Sequence, residues 1–174
     1  MPEPLDPETL FAALARYNVE YVLIGGLAAN IHGSPLVTND ADITPSKTRE
    51  NLERLARTLR DLGARVRTTA DPEGLPFACD VEFLERMKMV NMQTIAGDFD
   101  ISFEPAAFPE GYEQLVEDAV DMTLFGIAVK VASLRDIIRS KETANRLKDQ
   151  AALPHLYALE DEIAAQEREQ RGGR

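Results

Sequence analysis

Alternating apolar and polar positions divide the chain into short strands and amphipathic helices. An apolar run over 21–24 is followed by two glycines, and period-two alternation resumes over 38–43 and 98–103. Strands are predicted at residues 19–24, 38–43, 64–67, 88–95, 98–103, 122–124 and 127–131. Helices are predicted at residues 7–17, 27–31, 112–120 and 153–165, with two more beginning after Ser46 and Ser133. Residues 68–80, rich in proline and glycine, are predicted to form a loop.

Two carboxylates share one side of the strand predicted over 38–43. Successive side chains of a strand point to opposite faces, so Asp40 and Asp42 lie on one face, and Ala41 and Ile43 on the other. Adjacent carboxylates repel each other unless a cation lies between them. Aspartate oxygens are ligands that Mg²⁺ prefers, commonly together with substrate phosphates. The Gly25-Gly26 pair before this strand lets a phosphate approach backbone N–H groups at a helix N-terminus.

A second acidic strand follows further along the chain. Within 98–103, Asp98, Asp100 and Ser102 share one face, while the other face is apolar. The apolar face needs a core beneath it, so the aspartates are predicted to line the open face. Alternatively, Asp98 belongs to the preceding turn and Asp100 faces solvent.

The helix predicted after Ser133 carries a lysine within its apolar stripe. Asp136, three residues after Ser133, completes a variant capping box. Helical periodicity places the following residues on one side: Leu134, Ile137, Ile138, Lys141, Ala144, Asn145 and Lys148. A lysine in this position is costly unless an anion meets it. Alternatively, its stem packs while its ammonium group reaches water.

Composition narrows the function classes. The chain has 174 residues and a net charge of −11, which argues against a broad nucleic-acid interface. Six basic residues nevertheless lie between positions 130 and 148, where only two acidic residues occur, so a local basic lip is one interpretation and a solvated helix the other. The single Cys79 excludes an internal disulfide. With no leader or membrane-spanning run in this sequence, we expect a cytoplasmic protein that does not bind membranes.

These motifs resemble the nucleotidyltransferase superfamily that includes DNA polymerase β, in its small bacterial AbiEii/MenT-type toxin branch. The resemblance rests on Gly25-Gly26, on Thr38 before Asp40-Ala41-Asp42, and on the Phe-Asp-Ile strand around Asp100. It also includes the later segment Lys141…Arg146-Leu147-Lys148-Asp149. Some relatives carry an arginine where this chain has Leu36, so that arginine's substrate contact is not carried over.

The resemblance implies a fold and a set of site residues. The fold would be α/β, a short mixed and twisted sheet with helices on one face and C-terminal helices closing the site. We expect one domain over 1–174, with a core over 1–132, helices over 133–165 and a polar, frayed tail over 166–174. Asp40, Asp42 and Asp100 would be the catalytic metal ligands for two Mg²⁺ ions, or Mn²⁺ in their place. The residues that would bind the nucleotide are Gly25, Gly26, Thr38, Lys141, Lys148 and Asp149.

The implied reaction is transfer of a nucleoside monophosphate from an NTP to an acceptor hydroxyl or phosphate. In toxin relatives the acceptor can be tRNA, and such toxins have a cognate antitoxin. The alternatives are an aminoglycoside-type small-molecule adenylyltransferase, which an acidic surface suits, a non-catalytic nucleotide- or partner-binding module on the same fold, and an unrelated α/β domain with surface aspartates. His32 is an additional candidate for a phosphate contact, although a structural role is the preferred interpretation.

Overall fold

Seven strands of the described chain form one mixed sheet, in which the two acidic strands are neighbours. The computed structural model describes residues 3–71 and 73–172. The strands are β1 (Tyr21–Ile24), β2 (Asp40–Pro45), β3 (Arg65–Val66), β4 (Met89–Thr94), β5 (Gly97–Ser102), β6 (Val120–Leu124) and β7 (Ile127–Val131). Their order across the sheet is β3-β4-β5-β2-β1-β7-β6. Strand β2 pairs with β1 antiparallel and with β5 parallel.

Helices pack against this sheet and around its acidic centre. They are α1 (Pro7–Arg16), α2 (Gly25–His32), α3 (Arg49–Asp61), α4 (Val81–Arg86), α5 (Tyr112–Asp118), α6 (Leu134–Ala144) and α7 (Leu147–Gly172). Leucines of α1 and α3 join Ile43 and Phe99 in one buried apolar cluster. Helix α6 packs on both α2 and α7. Among the described residues, no helix combines the length and hydrophobicity that crossing a bilayer requires.

Side-chain caps define most helix starts, with one difference from the prediction. The Oγ atom of Ser133 accepts a 3.1 Å hydrogen bond from Asp136 N at the start of α6, which is the serine half of the predicted capping box. The reciprocal half is not seen among the described residues, where the buried Asp136 Oδ2 has no hydrogen-bond partner. Helix α3 is capped by Thr48 instead of Ser46, because Thr48 Oγ1 accepts from Asn51 N at 3.3 Å. Ser46 is held to the sheet region, where its N–H donates to Glu20 O at 3.0 Å.

The C-terminal helices also differ from the prediction. Helical periodicity predicts one helix continuing through Lys148, whereas α6 ends at Ala144. Asn145 adopts a left-handed conformation with φ 50°, which asparagine tolerates better than most residues. Helix α7 then begins at Leu147, so Asn145 and Lys148 do not belong to the α6 stripe.

Two segments are more ordered than the sequence pattern indicates. The short helix α4 follows the predicted loop, and Asp80 caps it by accepting from Phe83 N at 2.8 Å. Its six residues are too few to show a clear helical period. Helix α7 continues to Gly172, so the segment 166–172 is helical and not frayed. The last two positions of the predicted tail lie outside the described residues.

A buried asparagine joins α3 to the sheet. The side chain of Asn51 is fully buried. Its Oδ1 accepts from Glu20 N at 2.7 Å, and its Nδ2 donates to Glu20 O at 2.9 Å and to Ser46 O at 2.8 Å. The amide therefore satisfies backbone groups at the entrance of β1 and the exit of β2, and it fixes α3 beneath the acidic strand.

We predict that Asn51→Ala lowers the free energy of unfolding by about 2–4 kcal/mol, because Glu20 N and Ser46 O lose their hydrogen bonds to the buried amide, while Glu20 O keeps only the bond from Ser46 N. Urea denaturation followed by circular dichroism measures this change. Glu53→Ala on the exposed side of the same helix is the control and should change stability by less than about 0.5 kcal/mol. Equal effects of the two substitutions would contradict this role of Asn51.

Candidate active site

The register of two parallel strands brings three predicted site carboxylates together. In the β2–β5 pairing, Asp40 is opposite Asp98 and Asp42 is opposite Asp100. The alternate residues of the two strands point to the other face and are fully buried in the core, as Ala41 and Phe99 show. One carboxylate oxygen from each of Asp40, Asp42 and Asp100 lies within 4.8 Å of the others. We call these three residues the acidic triad.

The triad is electrostatically unfavourable without a cation. Burial, together with the charges of Asp40 and Asp100, raises the pKa of Asp42 to about 7. Burial also raises the pKa of Asp100 to about 6, although the Arg67 guanidinium opposes this rise. Three hard oxygen donors in one small volume are a set that Mg²⁺ or Mn²⁺ accepts. The residues present therefore fit a divalent cation.

Glycine is required where the chain passes the triad. At Gly25, φ is +72°, and an added Cβ atom would lie 2.3 Å from Asp42 Oδ2. At Gly26, an added Cβ atom would lie 2.8 Å from Thr38 Oγ1. The two glycines form the first turn of α2, where backbone N–H groups have no partner within the helix. Bare backbone at a helix N-terminus thus lies directly beside the carboxylates.

Thr38 positions the first aspartate. Its Oγ1 donates to Asp40 Oδ1 at 3.0 Å and lies 3.3 Å from the backbone oxygen of the same residue. The threonine therefore restrains the Asp40 side chain from the loop that precedes β2. Leu36 also lines the site.

Basic side chains from the two C-terminal helices face the triad. Lys141 Nζ lies 3.3 Å from Asp149 Oδ1, and Arg146 Nε lies 2.7 Å from Asp149 Oδ2. Burial acts to raise the pKa of Asp149, but hydrogen bonds from Arg146 outweigh it and lower the pKa. The charges of Lys148 and Lys141 both favour the ionised form of Asp42. Asp149 is thus the anion that meets Lys141, and both helices contribute positive charge to the site.

All these groups surround one cavity of about 680 Å³. Every predicted site residue except Asp149 lines it, and Asp149 is fully buried behind Lys141. His32 is turned to the protein, with Nε2 2.8 Å from Ala132 O, which agrees with a structural role. The cavity can therefore expose a phosphate-bearing substrate both to the triad carboxylates and to lysines of the C-terminal helices.

An arginine that the sequence pattern did not single out also enters the site. Arg67 NH2 donates to both Asp100 oxygens at 2.9 Å, and Arg67 NH1 pairs with Asp98 Oδ2. The sequence signal is weak, because Arg67 follows a two-residue strand and precedes a loop. Its relation to Asp100 depends on pairing across three strands.

Comparison with known proteins supports the fold. No family model and no curated protein matches the sequence. The lincomycin-bound lincosamide antibiotic adenylyltransferase LnuA aligns with a TM-score of 0.57 at 13% identity, covering 90% of this chain and 99% of that chain. The antibiotic-resistance factor ANT(2'')-Ia, in complex with adenylyl-2''-tobramycin, aligns with a TM-score of 0.54 at 17% identity, covering 91% of this chain and 93% of that chain. An antigenic nucleotidyltransferase-like protein from Paracoccidioides brasiliensis aligns with a TM-score of 0.54 at 16% identity, covering 91% of this chain and 78% of that chain. These likenesses confirm the predicted nucleotidyltransferase fold.

We predict that Asp42→Asn stabilises the metal-free protein at high pH. The folded pKa of Asp42, about 7, lies above its ordinary value of 3.8, so its ionisation disfavours folding. The penalty is absent below about pH 4, grows as the pH rises, and is complete above about pH 7. The substitution should therefore add about 2–4 kcal/mol to the free energy of unfolding at pH 8 and little at pH 4.

Urea denaturation in EDTA at pH 4, 6 and 8 tests this prediction. Asp121→Asn is the matched control, because its side chain is 78% exposed and pairs with Lys130 on the neighbouring strand β7. The control should show no comparable gain with pH. A destabilised Asp42→Asn protein at pH 8 would contradict the electrostatic description of the triad.

Proposed function

We propose that this protein is a metal-dependent nucleotidyltransferase that moves a nucleoside monophosphate from an NTP to an acceptor hydroxyl or phosphate. The observation that carries the proposal is the convergence of the three triad carboxylates within 4.8 Å. They converge beside the N-terminus of α2, on a fold that is also that of two adenylyltransferases.

The triad carboxylates would hold the metal. When bound, two Mg²⁺ ions, or Mn²⁺ in their place, supply positive charge that stabilises the attacking and leaving oxygens of an in-line displacement. Asp40 and Asp42 from one strand and Asp100 from its neighbour provide the oxygen donors. A carboxylate oxygen of Asp100 is our candidate acceptor for the proton of the attacking hydroxyl.

The start of α2 beside the triad, together with lysines of the two C-terminal helices, would hold the nucleotide. Backbone N–H groups of Gly25 and Gly26 would receive the β- and γ-phosphates, because they begin α2 and have no partner within the helix. Lys141 and Lys148 would add positive charge toward the triphosphate, while buried Asp149 keeps Lys141 in place. Thr38 would act indirectly by restraining Asp40.

For the acceptor, our first candidate is tRNA in a toxin–antitoxin system. This assignment rests on the resemblance of the Lys141…Arg146-Leu147-Lys148-Asp149 segment to that of toxin nucleotidyltransferases. Arg146 and Lys148 are exposed and line the cavity, where they could contact RNA phosphates. A toxin of this type would also have a cognate antitoxin as its protein partner.

A cationic small molecule of the aminoglycoside type is the second candidate acceptor. Asp98, Glu104 and Asp136 line the same cavity outside the triad, and the chain carries a net charge of −11. Such a surface attracts amines and repels a polyanionic RNA. This alternative uses the same nucleotidyl-transfer chemistry and differs only in the acceptor.

Incubation with each α-³²P-labelled NTP and Mg²⁺ tests both parts of the proposal. Separate reactions would contain total bacterial tRNA, a panel of aminoglycosides, or the protein alone. We expect labelled product, with the rate falling at least about 1,000-fold in Asp40→Asn, Asp42→Asn and Asp100→Asn. The matched control Asp121→Asn, outside the cavity, should retain full activity.

The label identifies the acceptor. Label on tRNA supports the toxin assignment, and label on an aminoglycoside supports the second candidate. Mg²⁺-dependent NTP binding by equilibrium dialysis without transfer to any acceptor would favour a non-catalytic nucleotide-binding module. Transfer that persists in all three triad variants would contradict the proposed mechanism.

A further inference from the structure

Four aspartates form a square array on the open side of the sheet, and only three of them belong to the triad. Asp40 and Asp42 occupy β2, and Asp98 and Asp100 occupy the paired positions of β5. One oxygen of Asp98, Oδ1, is buried and has no hydrogen-bond partner among the described residues. The fourth aspartate therefore has an unused acceptor atom beside the triad.

Arg67 reaches this array across three strands. The backbone N–H of Arg67 donates to Asn91 O at 2.8 Å, and Asn91 is the register partner of Asp100. The guanidinium then contacts both Asp100 oxygens at 2.9 Å and also pairs with Asp98. The Arg67 side chain is only 32% exposed, so it lies within the site and not above it.

Within the described cavity lining, Arg67 is the cation that contacts the β5 carboxylates. Lys141 and Arg146 are engaged with Asp149 of α7. A divalent cation bound to the triad would use an Asp100 oxygen and would repel the guanidinium beside it. Arg67 and the metal would therefore compete for the Asp100 carboxylate.

We propose that Arg67 is a positioning residue that holds Asp100 when the triad has no metal and yields it by moving fully onto Asp98 when a divalent cation binds. Asp98 would then be the alternative partner, with its unused Oδ1 accepting the N–H that leaves Asp100. The inference rests on the metal site of the proposed function. It assigns Asp98 a task that the three-carboxylate motif does not require.

A double-mutant cycle on Mg²⁺ affinity tests the proposal without a turnover assay. Isothermal titration calorimetry at pH 8.0, without nucleotide, would compare wild type, Arg67→Gln, Asp98→Asn and the double variant. Arg67→Gln should bind Mg²⁺ about tenfold more tightly, because the competing cation is gone. Asp98→Asn should bind about tenfold more weakly, because Arg67 then has only Asp100 as a partner.

The decisive quantity is the coupling between the two substitutions. Asp98→Asn should have less than about a threefold effect once Arg67 is glutamine. Arg86→Gln, an exposed residue on α4, removes the same charge away from the site and should leave the affinity unchanged. Circular dichroism melting of each variant confirms that it is folded.

Several outcomes would overturn the inference. A folded Arg67→Gln protein with unchanged or weaker Mg²⁺ binding would show that Arg67 only supports Asp100. Equal effects of Asp98→Asn in both backgrounds would reduce the role of Asp98 to its charge. Absence of Mg²⁺ binding in every variant would remove the metal site itself, whereas Mg²⁺ binding and label transfer without coupling would overturn the Arg67 role alone.

Discussion

Repulsion between aspartates on two neighbouring parallel strands is the constraint on which the site depends. The strand register fixes these carboxylates side by side, because the alternate residues of both strands are buried in the core. Folding of the sheet therefore forces the negative charges together. The groups that surround them supply either positive charge, as Arg67 and Lys148 do, or restraint, as Thr38 does.

The close approach of the Gly25 backbone to Asp42 is the second constraint on the site. Gly25 lies against Asp42 so closely that even a methyl group would collide with the carboxylate. The start of α2 and the triad are thus parts of one surface, on which a phosphate could contact backbone N–H groups while its metal contacts the aspartates. Two lysines, Lys141 of α6 and Lys148 of α7, complete a cavity that is lined by both carboxylates and cations.

Local patterns predicted the parts of this site that depend on one strand or one helix turn. Alternation placed Asp40 and Asp42 on one face, and the Ser133 cap was correct. The choice of Asp100 over Asp98 depended on the family resemblance, since both occupy the same face of β5. Local patterns do not reveal which residues pair across strands, so the contact of Arg67 with Asp98 and Asp100 was not predicted.

The helical period also failed where a single backbone conformation decides the outcome. Asn145 ends α6 by adopting positive φ, which a period of apolar residues does not reveal. The break turns the chain so that buried Asp149 meets Lys141 from a second helix. The same kind of limit applies to Asn51, whose burial depends on backbone groups distant in sequence.

Anomalous diffraction from crystals grown with Mn²⁺ and a non-hydrolysable NTP analogue would test the central claim most directly. We expect manganese peaks within bonding distance of the carboxylate oxygens of Asp40, Asp42 and Asp100, with the analogue's phosphates beside Gly25 and Gly26. Manganese bound elsewhere, or nucleotide bound with no metal at these carboxylates, would contradict the assignment of the triad as the metal site.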